Sequence, residues 1–84
     1  MIICFDPEAF DDFRAWATED RKIFKKIGEL IRDASRTPFQ GLGKPEPLKH
    51  KLSGFWSRRI TDEHRLVYKV ERDTLYIVSC KFHY

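Results

Sequence analysis

Apolar residues along this chain follow two periods, a helical one in the first half and an alternating one in the second. Met1-Ile2-Ile3-Cys4-Phe5 is a short apolar run and predicts a buried strand. Asp6 followed by Pro7 marks a helix start, because an acid suits the cap and a proline at the first helical position gives up an N–H that has no partner there. Apolar positions at Ala9/Phe10, Phe13 and Trp16/Ala17 then lie on one helical face. Thr18 or Asp20 can cap a second helix. Its stripe is Ile23/Phe24, Ile27, Leu30/Ile31 and Ala34, with Lys22, Lys25, Lys26, Glu29 and Arg32 on the outside. Almost no linker separates the two, so they should form a tight hairpin.

Thr37-Pro38 ends the second helix, and residues 37–49 form a loop with three prolines and two glycines. The period of two then takes over, predicting strands over about Lys51 to Ile60, Arg65 to Val70 and Leu75 to Phe82. Thr61-Asp62-Glu63-His64 and Glu71-Arg72-Asp73-Thr74 join them and are short enough for antiparallel hairpins. The order β-α-α-β-β-β predicts one α+β domain over residues 1–84, an antiparallel sheet with a two-helix hairpin packed on one face. The other face is left to solvent. On the middle hairpin strand Leu66, Tyr68 and Val70 point one way, toward a core. Arg65, Val67 and Lys69 point the other way, toward a basic, open surface.

Composition narrows the setting. Eighty-four residues with twelve aromatics suffice for one small core. Cys4 and Cys80 sit in apolar runs and read as small buried hydrophobes in a reducing compartment. No stretch approaches the roughly 20 apolar residues of a membrane span, and no signal-like start is present, so a cytoplasmic location is expected. The net charge of +3 is uneven, −2 over residues 1–35 and +5 over residues 36–84. A basic second half suits a polyanionic partner.

If the open face, the 37–49 loop and the C-terminus converge, they gather Glu46, Lys49, His50, Arg58, Arg59, Arg65, His83 and Tyr84. That set fits RNA cleavage by attack of a 2′-hydroxyl on its own phosphorus. A carboxylate takes the proton, an imidazole protonates the leaving oxygen, and a guanidinium holds the phosphorane, with no metal and no cofactor required. Glu46 lies between Pro45 and Pro47, and both Lys44 and Glu46 precede a proline, which predicts a stiff, extended carrier. Arg65 opens a strand, where its planar fork can grip two phosphate oxygens. Arg58 and Arg59 face opposite ways, so only one shares a surface with Arg65; the other reads as a surface or partner-binding charge. Each residue also has a plain reading, Glu46 as a surface glutamate and His83-Tyr84 as a solvated tail. His64 reads as a turn or capping residue. Trp16 belongs to the core, and Trp56 is either core or a stacking surface for a base. Three scattered histidines without a cysteine pair do not make a zinc site.

The runs Gly43-Lys44-Pro45-Glu46-Pro47-Leu48-Lys49-His50, Leu52-Ser53-Gly54-Phe55-Trp56-Ser57-Arg58-Arg59-Ile60 and Glu63-His64-Arg65-Leu66-Val67-Tyr68, with the terminal His83-Tyr84, resemble the YoeB toxins of the wider RelE/ParE superfamily. The resemblance implies a bacterial type II toxin that enters the ribosomal A site and cuts mRNA there. It implies Glu46 as general base, His83 as general acid, Arg65 as transition-state stabiliser and Tyr84 as an aid to substrate placement. It further implies that Lys49 and Arg59 contact RNA. The implied partners are a YefM-type antitoxin, operator DNA only through that antitoxin, the ribosome with its mRNA, and a second copy of the chain. The competing reading is a non-catalytic, ParE-like toxin that binds gyrase, for which a base, an acid and a charge clamp together have no use.

Overall fold

The computed structural model describes residues 1–82; the terminal pair His83 and Tyr84 lies outside the described residues. The elements run β1 (Ile2–Phe5), α1 (Pro7–Glu19), α2 (Arg21–Arg36), β2 (Glu46–Pro47), a 3-10 turn (His50–Leu52), β3 (Trp56–Arg59), β4 (Arg65–Glu71) and β5 (Thr74–Ser79). Pro7 sits at the head of α1 as expected, although the Asp6 side chain makes no capping bond. Asp20 alone separates the helices. It terminates α1, and its carboxylate accepts from the Lys22 and Ile23 amides to start α2, which satisfies two orphan donors. Thr37 closes α2 ahead of Pro38.

The strands form one sheet in the order β1-β5-β4-β3-β2. β2 to β5 are antiparallel neighbours, as the hairpin pattern requires, whereas β1 adds to β5 in parallel, making the sheet mixed. The last turn has Arg72 and Asp73 at φ 49° and 59°, the paired left-handed residues of a type I′ hairpin. One irregularity interrupts the β4–β5 ladder. Tyr68 pairs with Ile77 but Val67 pairs with Ser79, so Val78 is an extra residue, a bulge.

The helix pair covers one face. Ile27, Leu30, Ile31 and Ala34 of α2 and Ala9 and Trp16 of α1 pack on Leu66, Tyr68, Leu75, Ile77 and Cys80. Phe13 links the layers, 5.4 Å from Phe5 and 4.8 Å from Phe24 between ring centres. Trp16 Nε1 donates to the Cys80 carbonyl at 3.1 Å, so the indole contributes bulk without leaving its N–H unpaired.

Several sequence expectations are corrected. β1 is not buried: it is an edge strand paired on one side only, and Ile2 and Ile3 are exposed while Phe5 packs against the core. Cys4 is exposed with it, while Cys80 is buried as expected. The run from Lys51 does not extend as one strand; a 3-10 turn and Gly54 at φ 97° delay β3 to Trp56. β5 ends at Ser79 instead of Phe82. Lys44 is not extended but has φ 52°. Pro45 bars the right-handed helical region, and the reversal after Gly43 uses the left-handed one. Val67 faces the uncovered side yet is buried, since it sits mid-sheet among the longer Arg59, Arg65 and Lys69.

Candidate active site

Sheet register decides which side chains can meet. Residues directly opposite in a ladder share a face. Glu46 is opposite Ser57, Ser57 opposite Val67, and Arg59 opposite Arg65. Glu46, Arg59 and Arg65 therefore all project from the uncovered side. With about 4.8 Å between strands and about 3.4 Å per residue, Glu46 and Arg65 stand about 12 Å apart at their Cα atoms. The register thus puts a carboxylate and two guanidinium-bearing residues on one surface.

Two local devices hold these residues. The first is Arg58, which points into the protein and is completely buried. Its Nη1 meets Asp33 Oδ2 at 2.6 Å and also donates to the Leu42 carbonyl; Nη2 donates to the carbonyls of Thr37 and Gln40; Nε donates to the Tyr68 hydroxyl. That hydroxyl donates in turn to the Pro38 carbonyl at 2.6 Å. The loop from Thr37 to Leu42 is thus stitched to the sheet by one guanidinium. Arg58 is not the surface or partner-binding charge that alternation alone suggests. Its burial is tolerated because its donors find partners. The Leu42 amide first, then Arg58, hold the Asp33 carboxyl below its usual range, while burial pushes the Tyr68 hydroxyl up against the pull of Arg58.

Gly43 continues the stitch. Its carbonyl accepts from the Arg59 amide at 2.7 Å, and its φ of 78° leads the chain toward Lys44 and Pro45. A Cβ there would lie 2.8 Å from Leu30 and 3.1 Å from both Arg58 Cβ and the Arg59 carbonyl. Glu46 then enters the short β2 ladder with its carboxylate in solvent.

The second device is the turn before β4. The Ile60 and Thr61 amides both donate to the His64 carbonyl, and Thr61 Oγ1 accepts from the Glu63 and His64 amides. Arg65 folds back on this turn, its Nη1 donating to the carbonyls of Thr61, Asp62 and His64 at 2.5, 3.2 and 3.1 Å. One edge of the fork is held by the backbone.

The remaining expected residues divide. Lys49 is exposed at the start of the 3-10 turn, where no ladder fixes its direction. His50 is exposed beside it at φ 59°. Trp56 turns to the helix side, 4.7 Å from the Phe39 ring, so it joins the core and not the open face. His64 does lie in a turn, but its ring is buried and accepts from the Phe82 amide. Sequence reasoning missed that role, because the amide it binds is 18 residues away. Among the described residues, no three His, Cys, Asp or Glu side chains group as metal ligands would. A separate cleft of about 400 Å³ lies between α1 and the end of β5. Glu8, Asp12 and Lys81 line it, two carboxylates to one ammonium, so its balance is acidic.

Comparison with known proteins finds relatives along the whole chain. The family described as YoeB-like toxin of bacterial type II toxin–antitoxin system matches residues 5–84. The toxin YoeB of Escherichia coli K12 is 60% identical over 84 residues, all of both chains. Among solved structures, a YoeB/ParE toxin from Agrobacterium tumefaciens superposes with a TM-score of 0.97 at 49% identity over the whole of both chains. A Staphylococcus aureus YoeB, solved in complex with YefM, does so at 0.91 and 46% identity, over all of this chain and 98% of that one. A YoeB dimer from Staphylococcus aureus gives 0.92 and 47%, over all of this chain and 98% of that one.

Proposed function

The chain belongs to the family of YoeB-like toxins of bacterial type II toxin–antitoxin systems, and from that premise we propose that it is a ribosome-dependent endoribonuclease that cuts mRNA in the A site and so halts translation. One observation carries the proposal: the register that sends Glu46, Arg59 and Arg65 from three different strands to one open face.

In this mechanism Glu46 accepts the proton of a ribose 2′-hydroxyl, and the 2′-oxygen attacks the adjacent phosphorus. Arg65 stabilises the charge that builds on the phosphorane oxygens. His83 gives its proton to the departing 5′-oxygen, leaving a 2′,3′-cyclic phosphate and a 5′-hydroxyl end. Tyr84 helps seat the scissile phosphate, and Lys49 and Arg59 bind the RNA backbone. An open sheet face gives RNA only one wall, so the ribosome and the codon it holds supply the other. Ribosomes as the target put the site of action in the cytoplasm. No helix among the described residues is long and apolar enough to cross a membrane.

Staphylococcus aureus YoeB structures, one a complex with YefM and one a dimer, support a YefM-type antitoxin and a second copy of this chain as partners. Contact with operator DNA would run through that antitoxin.

The test is incubation with translating ribosomes and mRNA, read by primer extension, beside a gyrase assay for trapped DNA breaks. Codon-phased cuts are expected from the parent chain. Glu46→Ala, Arg65→Ala and His83→Ala should each lower single-turnover cleavage by about 10² to 10⁴-fold while antitoxin still binds. Gyrase-linked breaks without mRNA cuts would overturn the proposal.

A further inference from the structure

We infer that His64 is a positioning residue for the reaction, a buried acceptor that fixes where the chain leaves the fold on its way to His83. The inference rests on the nuclease reading, in which His83 supplies the acid.

Phe82 is bound through both of its backbone groups, and both partners are consecutive residues at the foot of β4. His64 Nδ1 accepts from the Phe82 amide at 2.8 Å, and the Arg65 amide donates to the Phe82 carbonyl at 3.3 Å. An N–H can donate only to an unprotonated ring nitrogen, so this bond selects the neutral imidazole with its proton on Nε2. Nε2 faces Glu63 Oε1 at 3.7 Å. The ring itself has little room to turn. It is 7% exposed and set edge-on to Trp16 at 4.8 Å, an indole already anchored to the Cys80 carbonyl.

What the two bonds hold is an unfavourable conformation. Phe82 has φ 62°, the left-handed region that bulky residues avoid, although its ring is more than half exposed and supplies little packing energy. β5 has ended three residues earlier, so no ladder holds the backbone here. Without the imidazole acceptor, Phe82 would lose one of the two bonds that hold its backbone at that φ and would be freer to relax to extended geometry. The turn that seats the Arg65 guanidinium therefore also sets the start of the segment bearing the acid. One turn holds both the Arg65 guanidinium and the last described residue before His83. Misplacing a reacting group by about 1 Å is enough to cost on the order of 100-fold.

His64→Leu deletes the acceptor and keeps an apolar side chain; His64→Asn retains an acceptor at the same position on the side chain. Three readouts are taken on each: exchange protection of the Phe82 amide, single-turnover cleavage on ribosomes, and thermal melting with antitoxin binding. His64→Leu should lose the Phe82 protection and about 10 to 100-fold in kcat, with KM little changed and the fold intact. His64→Asn should recover the protection and most of the rate. Parent-like cleavage by His64→Leu despite an unprotected Phe82 amide overturns the inference. So does a His64→Asn chain that keeps the protection but cuts as poorly as the leucine variant, since packing and not the acceptor would then matter. A parent chain that cuts no ribosome-bound mRNA overturns the nuclease reading, and the positioning role with it. The exchange data distinguish that failure from loss of the tether.

Discussion

Asp33 and Arg58 meet at 2.6 Å across 25 residues of sequence, the arginine fully buried and the aspartate partly open to solvent. The pair serves the loop more than it serves the helix. Asp33 also accepts from the Leu42 amide at 2.9 Å, and Arg58 binds the Thr37 and Gln40 carbonyls and the Tyr68 hydroxyl from the sheet side.

Arg58→Met should destabilise the chain by about 3 kcal/mol, the low end for breaking a buried ion pair, because it strands carbonyls at Thr37, Gln40 and Leu42 while leaving Asp33 partly hydrated. Urea titration checks this. Asp33→Asn tests the charge through pH. The folded carboxyl titrates below its ordinary 3.8, so its contribution is complete above that value and is lost as pH falls toward and through the depressed one. The variant should be weaker than its parent at pH 7, and the gap between the two urea midpoints should narrow steadily as the pH falls below 3.8.

Gly43→Ala places a methyl at φ 78° within 2.8 Å of Leu30. The expected loss is about 1–3 kcal/mol of stability. Part of the strain should reach Glu46, three residues on, and lower kcat more than KM moves. Cleavage kinetics on ribosomes, taken well below the variant's melting point, measure the two separately.

Arg59 shares the face of Arg65 and is exposed, with no bond from its side chain to any described residue, so removing it should cost the fold little. Arg59→Ala and Lys49→Ala should leave the stability within about 0.5 kcal/mol of the parent. Each should raise KM on ribosomes, with a salt dependence shallower by about 0.7 in log–log slope for each phosphate that is no longer neutralised. A KM series from low to moderate salt decides this.

The two cysteines should behave as opposites. Burial pushes the Cys80 thiol up to about 12, and it lies 3.5 Å from the Ala9 carbonyl. Cys4 is on the exposed edge strand. Iodoacetamide at about pH 8 should modify Cys4 alone in the folded chain and both residues in urea, as mass spectrometry of the digest will show.

Different residues are legible in the sequence to different degrees, and the reason is range. The stripe of α2 and the shared cap at Asp20 depend on neighbours within a turn, so periodicity finds them. Arg59 and Arg65 fall on one face because alternation in a hairpin carries parity reliably from strand to strand. Arg58 reads as a surface charge because its partners come from Asp33 and a loop carrying no helical or strand period. β1 reads as buried because apolar content does not say on which side of β5 a strand will pair, or whether anything covers it. β2 is hidden for a related reason. Two residues in a proline-rich loop have no pattern, and they form a ladder only because Gly43 and Arg58 deliver them to β3. His64 belongs with these, a ring whose purpose depends on a residue 18 positions away.

Val78 is one amino acid too many for its ladder, and the extra step has an effect beyond local twist. With it, Ile77 and Cys80 both face the helices although Cys80 is an odd number of steps further on. Strict alternation would have turned the thiol outward and rotated every later side chain by half a turn. The bulge thus works as a parity switch. Upstream of it β5 serves the hydrophobic layer in ordinary two-beat order, and downstream the count restarts so that the tail reaches the foot of β4 in the phase His64 can receive. Shortening β5 by that single residue would keep most of the sheet's pairing while turning Cys80 away from the helices.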